Sequence, residues 1–347
     1  MPAIVATPVV AYATTTSWIA APAIGKGDFS WLEVGRNDGN VRTVAAFRGD
    51  RLIVRSVGKN TIVVDQPCVS QPCQTVQAPV TGAAGAFAYA VAFPGVGGFV
   101  ASVAANGRSQ VVAEDVSDPA TITTPHLVAT TGSAVIWVDQ NSISIAPNIG
   151  GTAAILVSTE QVGGEITSLS AGPAGIAWSA RATAGGTLIG YRSATGAIST
   201  RAAEPDAKVA TLYSVALMDD GSIVAIRRTV RTGRQRIELA SWAVDGTRET
   251  LLSSVPFAQR EAFEVTRPTV SGTLVAVRSR EGAGGRQDAL WVLDRATGRR
   301  TRIAVADRWA SRFSDPSFGN GRLVWAKTDL RSGRLQRARI FSAAVRG

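Results

Sequence analysis

Short apolar runs, separated by glycine-rich polar turns, recur along the whole chain. Seven of them align: GDFSWLE (27–33), GAFAYAV (85–91), SAVIWVD (133–139), AGIAWSA (174–180), GSIVAIR (221–227), GTLVAVR (272–278) and GRLVWAK (321–327). Their centres are Trp31, Tyr89, Trp137, Trp178, Ala225, Ala276 and Trp325, and the residue two before each centre is always apolar. A glycine stands four residues before the centre in five windows and is displaced by one in the other two, at Gly132 and Gly175. Apolar positions two apart are the period of a strand. A glycine just ahead of such a run marks a tight hairpin turn.

The rest of each unit repeats as well. A second β-rich run follows each window, for example IELASWAV after GSIVAIR and ALWVLD after GTLVAVR. In the middle units a turn such as DG or ATG and a third run come next, and an inner run such as LYSVAL precedes the glycine turn. Four short strands per unit, repeated every 41 to 58 residues, is the sequence signature of propeller blades. The pattern predicts an all-β chain: one seven-bladed β-propeller of four-stranded antiparallel blades, spanning residues 1–347 as a single domain. The last unit stops after its third strand, and the Val-rich residues 4–12 are expected to supply its outer strand by pairing around Ile340–Val345. The four window tryptophans are expected to be buried between sheets.

The stretches MDDGSIVAIRR and IELASWAVDGTRETLL, and then VSGTLVAVRSR and ALWVLDRATGRRTRI, resemble the WD40-like repeats of TolB-type propellers. The resemblance covers about residues 20–347. It implies a propeller, export to the periplasm or beyond, and service as an interaction platform; other propellers of this type form a domain of serine peptidases.

Composition narrows the classes. With 45% apolar and 18% charged residues the chain is not of disordered type. Its net charge of +10 lies in the second half: residues 201–347 hold 26 Lys and Arg against 15 Asp and Glu, residues 1–200 hold 10 against 11. That excess fits an anionic partner such as an acidic glycan. It equally fits the composition of a GC-rich genome, since Arg outnumbers Lys 32 to 4. No nucleic-acid-binding module is recognisable, so no specific nucleic-acid partner is expected. Residues 66–107 carry no charge, but Pro67, Pro72, Pro79 and Pro94 break every apolar run, and no transmembrane segment is expected. The first basic residue is Lys26, so the N-terminus reads as a mature start after removal of an export signal. An extracellular or periplasmic location follows as the expectation. Cys68 and Cys73, in QPCVSQPC, fit a disulfide closing a small loop in an oxidising compartment; two free thiols are the alternative.

Candidate chemistry is sparse. His126 is the sole histidine, and no nucleophile elbow, P-loop, dinucleotide fingerprint or zinc motif occurs. No catalytic residue, metal or cofactor is expected. RGD at 48–50 falls where a hairpin turn is expected and is read as a chance match. One constellation stands out. Two residues past each centre stand Glu33, Val91, Asp139, Ala180, Arg227, Arg278 and Lys327, a position expected to lead out of the strand into a loop. With Arg267, Trp309 and Arg312 from neighbouring loops, the three cations make a candidate binding sector, flanked by Glu33 and Asp139. The functional expectation is an exported, monomeric, non-enzymatic platform for a protein or an anionic ligand. The alternative is a propeller-class polysaccharide hydrolase or lyase using Glu33 and Asp139, which needs carboxylates about 5–10 Å apart. A third reading is an envelope structural protein.

Overall fold

The computed structural model describes residues 9–15, 18–24, 28–34, 51–56, 61–65, 74–81, 87–93, 97–103, 109–115, 127–131, 134–139, 141–147, 152–232, 234–253, 264–282, 285–319 and 321–345. Among them the strands form seven antiparallel sheets, here A to G in chain order. The chain divides into two compact units: residues Met1–Leu156 with Trp309–Arg346, and Val157–Arg308.

The first unit holds four sheets. Sheet A runs Trp18–Ile24, Asp28–Val34, Arg51–Ser56, Thr61–Asp65. Sheet B runs Gln74–Thr81, Phe87–Phe93, Gly97–Val103, Ser109–Asp115, and sheet C runs Val128–Thr131, Ala134–Asp139, Ser142–Pro147, Ala154–Val157. Sheet G joins Ser311–Phe313 and Ser317–Gly319 to Arg322–Arg331, then Arg334–Ala344, then Val9–Thr14. The second unit holds three. Sheet D runs Gly164–Gly172, Gly175–Ala182, Thr187–Ser193, Ile198–Glu204. Sheet E runs Ala210–Leu217, Ile223–Arg231, Arg234–Trp242, Arg248–Ser253. Sheet F joins Glu264–Val265 and Thr269–Ser271 to Leu274–Glu281, Gln287–Asp294 and Arg299–Asp307. Every window lies on the second strand of its sheet. The first strands of F and G are each split at a proline, Pro268 and Pro316, which cannot donate to the ladder.

The expected seven-bladed ring is corrected. The structure is all-β with four-stranded antiparallel blades, but its propeller has five blades. Repeat spacing registers the hairpins of each sheet, which are local. Blade number depends on how sheets pack face to face about an axis, and no period in the sequence reports that.

The N-terminal strand does pair with the last long strand, two residues beyond the expected bounds: Val9 faces Ser342, Tyr12 faces Ile340 and Thr14 faces Ala338, with a bulge between Val10 and Tyr12. Residues 1–8 lie outside the described set.

Apolar faces of successive sheets make the cores. Ile19, Ile24, Phe29 and Trp31 of sheet A pack with Val324, Ala326, Ala338 and Ile340 of sheet G. Ala177, Ile189 and Tyr191 of sheet D pack with Leu212, Ile223, Ala225 and Trp242 of sheet E, and Val224, Ile226 and Leu239 of sheet E pack with Val265, Val275 and Val277 of sheet F. Trp31, Trp137, Trp178 and Trp325 are all buried. Trp178 lies over Gly190, its cross-strand partner; a Cβ there would sit 2.1 Å from the indole. Glycine is the residue that admits the ring so close to the backbone.

A polar seam reinforces the D–E contact. Ser214 has φ 56 and the ladder shifts register between Tyr213 and Ala216, which frees backbone donors. Ser168 of sheet D accepts the Val215 amide at 3.0 Å and Ser170 accepts that of Leu217 at 2.9 Å. Buried N–H groups displaced from one ladder are thus satisfied by the neighbouring sheet.

Candidate functional site

The second strands run further than the windows: to Arg231 in sheet E, Glu281 in sheet F and Arg331 in sheet G. Arg227, Arg278 and Lys327 therefore sit within strands and not at strand exits, which corrects their expected placement. Each meets an acid. Arg227 faces Glu238 across the hairpin; its Nε lies 2.6 Å from Glu204 of sheet D and one terminal nitrogen 3.4 Å from Glu238. The Glu238 side chain is 3% exposed and also receives Arg236 at 2.8 Å and Arg248 at 3.6 Å. Burial alone would lower the Arg227 pKa, but the bonds and charges of Glu204 and Glu238 outweigh it and hold the guanidinium above its ordinary value. Arg278 meets the fully buried Asp288 at 3.2 Å. Lys327 meets Asp329 at 3.5 Å, and Arg339 meets the same carboxylate at 2.5 Å.

Arg227, Arg267 and Arg278 belong to the second unit, and Glu33, Asp139, Trp309, Arg312 and Lys327 to the first. Arg267 donates to the Leu169 carbonyl at 2.8 Å, from the break in the first strand of sheet F to the first strand of sheet D. Arg312 is half-buried opposite Thr328. Trp309 is 74% exposed, just ahead of Ser311–Phe313. Glu33 lies in register with Ile19 and Arg51, and Asp139 ends its strand at a turn where its carbonyl accepts the Ser142 hydroxyl at 2.7 Å. Cys68, Cys73, His126 and the RGD triplet at 48–50 lie outside the described residues.

The basic positions in sheets E and F are therefore joined into ion-pair networks within the second unit. The acids that complete them, Glu204, Glu238 and Asp288, were missed by the window alignment because they lie on the third and fourth strands. The signal that finds Glu238 is hairpin symmetry: it stands four residues after Arg234 as Arg227 stands four before Arg231, and Arg231 pairs with Arg234.

No protein-family model and no curated protein matches the sequence. Solved structures do match. The β-propeller domain of the trilobed protease from Pyrococcus furiosus aligns with a TM-score of 0.62 at 11% identity, over 94% of this chain and 95% of that one. The fold is that of a β-propeller. The WD40 repeats of RRP9 align with a TM-score of 0.56 at 11% identity, over 98% and 97% of the two chains. A puromycin-hydrolysing peptidase from Mycobacterium tuberculosis aligns with a TM-score of 0.60 at 14% identity, over 92% of this chain and 52% of that one. This chain spans about half the length of the peptidases it matches (50% and 52%). No helix among the described residues is long and apolar enough to cross a membrane.

Proposed function

We propose that this chain is an exported, non-enzymatic propeller of TolB/WD40-like type that docks a protein partner through the surface around Trp309. The observation that carries the reading is the 74% exposure of Trp309. Tryptophan is the side chain most enriched at binding hot spots, and a large aromatic left in water has apolar area to gain by docking. The candidate cations of sheets E and F are engaged by acids inside the protein, which favours a protein partner over a purely anionic ligand. The repeats quoted above support the TolB-like assignment, and export follows from that resemblance.

The test is site-specific crosslinking. A photoreactive residue placed at position 309 should capture a discrete partner from the envelope fraction of the source cells. The same residue at Val244, an exposed apolar position of the second unit, should not. Equal labelling from both positions, or none from 309, would reject the docking surface. Replacing Trp309 by Ala should abolish capture from a crosslinker placed at the neighbouring Ala310.

A further inference from the structure

The two long strands of sheet G are joined by a two-residue turn, Ser332–Gly333, with φ values of 49 and 75. Positive φ at both positions is the turn whose twist matches a hairpin. The residues flanking it, Arg331 and Arg334, are direct cross-strand partners and both are exposed. Like charges facing each other weaken a strand pair. Asp329, two residues before Arg331 on the same strand, is held by Lys327 and Arg339. Among the described residues neither Arg331 nor Arg334 has an ion pair.

The same backbone register recurs in a second hairpin. In sheet E, Arg231 faces Arg234 across the turn that begins at Thr232, whose φ is 48. A β-branched residue in that region is uncommon and strained. The sequences are Arg-Thr-Gly-Arg and Arg-Ser-Gly-Arg, at the same register in both hairpins. The sheet G hairpin thus holds a repulsive arginine pair at its tip.

We propose that the Arg331–Arg334 tip of sheet G is an oxyanion fork for a phosphate monoester. Two guanidinium groups supply two positive charges and planar arrays of N–H donors. A phosphate monoester supplies up to two negative charges and three terminal oxygens, which match both groups at once. A carboxylate carries one charge and so neutralises only one of the two guanidinium groups. The bound anion turns the repulsion into two attractions. The proposal is independent of the docking surface around Trp309.

The test uses the full chain and inorganic phosphate at constant ionic strength. The Arg331 and Arg334 side-chain N–H signals and the Gly333 amide should shift in NMR spectra along saturable curves. Replacing both arginines, Arg331→Gln with Arg334→Gln, should weaken phosphate binding at this tip about tenfold or more. The melting temperature in chloride should be unchanged or higher, because a repulsion has been removed. Co-sedimentation with phosphatidylcholine vesicles containing phosphatidic acid, but not with phosphatidylcholine alone, would assign the phosphate to a lipid headgroup; saturation without co-sedimentation would assign it to a soluble ligand. Drifts that do not saturate, or curves identical in native and variant proteins, would overturn the proposal.

Discussion

The ring of Tyr12 lies 4.7 Å from that of Trp31, centroid to centroid, at an interplanar angle of 34°. Tyr12 belongs to the N-terminal strand of sheet G, and Trp31 is the buried window residue of sheet A. The contact fastens the first strand of the chain sideways to a neighbouring sheet, in addition to its ladder with 338–342. Tyr12→Ala should cost about 1–2 kcal/mol, from the lost ring contact and part of the ring's burial. Deleting residues 1–14 should cost more, because the strand Arg334–Ala344 would become an open edge. Thermal melting of the two variants checks both; unchanged midpoints would make the strand an appendage.

Gly190→Ala should destabilise by about 1–3 kcal/mol, as overpacking does in a tight core, because the new methyl would overlap the Trp178 ring. Trp178→Leu alone should also destabilise, since it empties a buried site. Combined, the two should cost less than the sum, the mark of a shared steric conflict. Denaturant unfolding of the two single variants and the double variant measures this coupling.

Glu238→Gln should cost about 3 kcal/mol, in the range for breaking a buried ion pair, since Arg227, Arg236 and Arg248 all converge on that carboxylate. Arg236→Gln should cost well under that, because its side chain is 55% exposed and the other two cations remain. Urea unfolding at low and moderate salt separates them: the buried loss should persist in salt and the exposed one should fade.

Asp294 gives the acid limb of stability. Burial by itself would raise its pKa, but the Thr297 and Thr273 hydroxyls and the Ala296 and Thr297 amides donate to it and bring it below the usual aspartate value. Its folded pKa is therefore below its unfolded one. Its contribution is complete above the unfolded pKa, about 3.9, and is lost as the pH falls toward and through the folded value. Asp294→Asn should lower stability at neutral pH and flatten the pH dependence in that acid range. Melting temperatures measured between neutral pH and the acid limb would show it.

Much of this was legible because it is local. The glycine-led windows placed the second strand of every sheet, since apolar alternation and turn chemistry act over a few residues. The hairpin that pairs Arg231 with Arg234 likewise dictates that Arg227 faces Glu238. Three features were not legible. Blade number depends on long-range packing. The split first strands of sheets F and G hinge on Pro268 and Pro316, whose effect shows only once their neighbours are strands. Arg227 looked like a free surface cation because Glu204, which takes its Nε, comes from the preceding sheet; sequence distance conceals such neighbours. The window alignment shows which positions repeat; the acids that pair with Arg227, Arg278 and Lys327 show only once the neighbouring strands are in place.

Arg267 has a mechanical consequence. Its bond to Leu169 runs from sheet F to sheet D and bypasses sheet E. Sheet E is tied to D through the serine seam, and F is tied to E where Arg295 meets Met218 sulfur at 3.0 Å and Asp220 at 3.5 Å. Three members joined at three nodes form a triangulated truss, and a truss cannot shear without stretching a member. The long strut opposes slip of the middle panel along either neighbour. Cutting that strut with Arg267→Met should leave each panel intact and turn a rigid frame into a hinged one, seen as faster amide exchange along Ala210–Leu217 with little change at the outer strands.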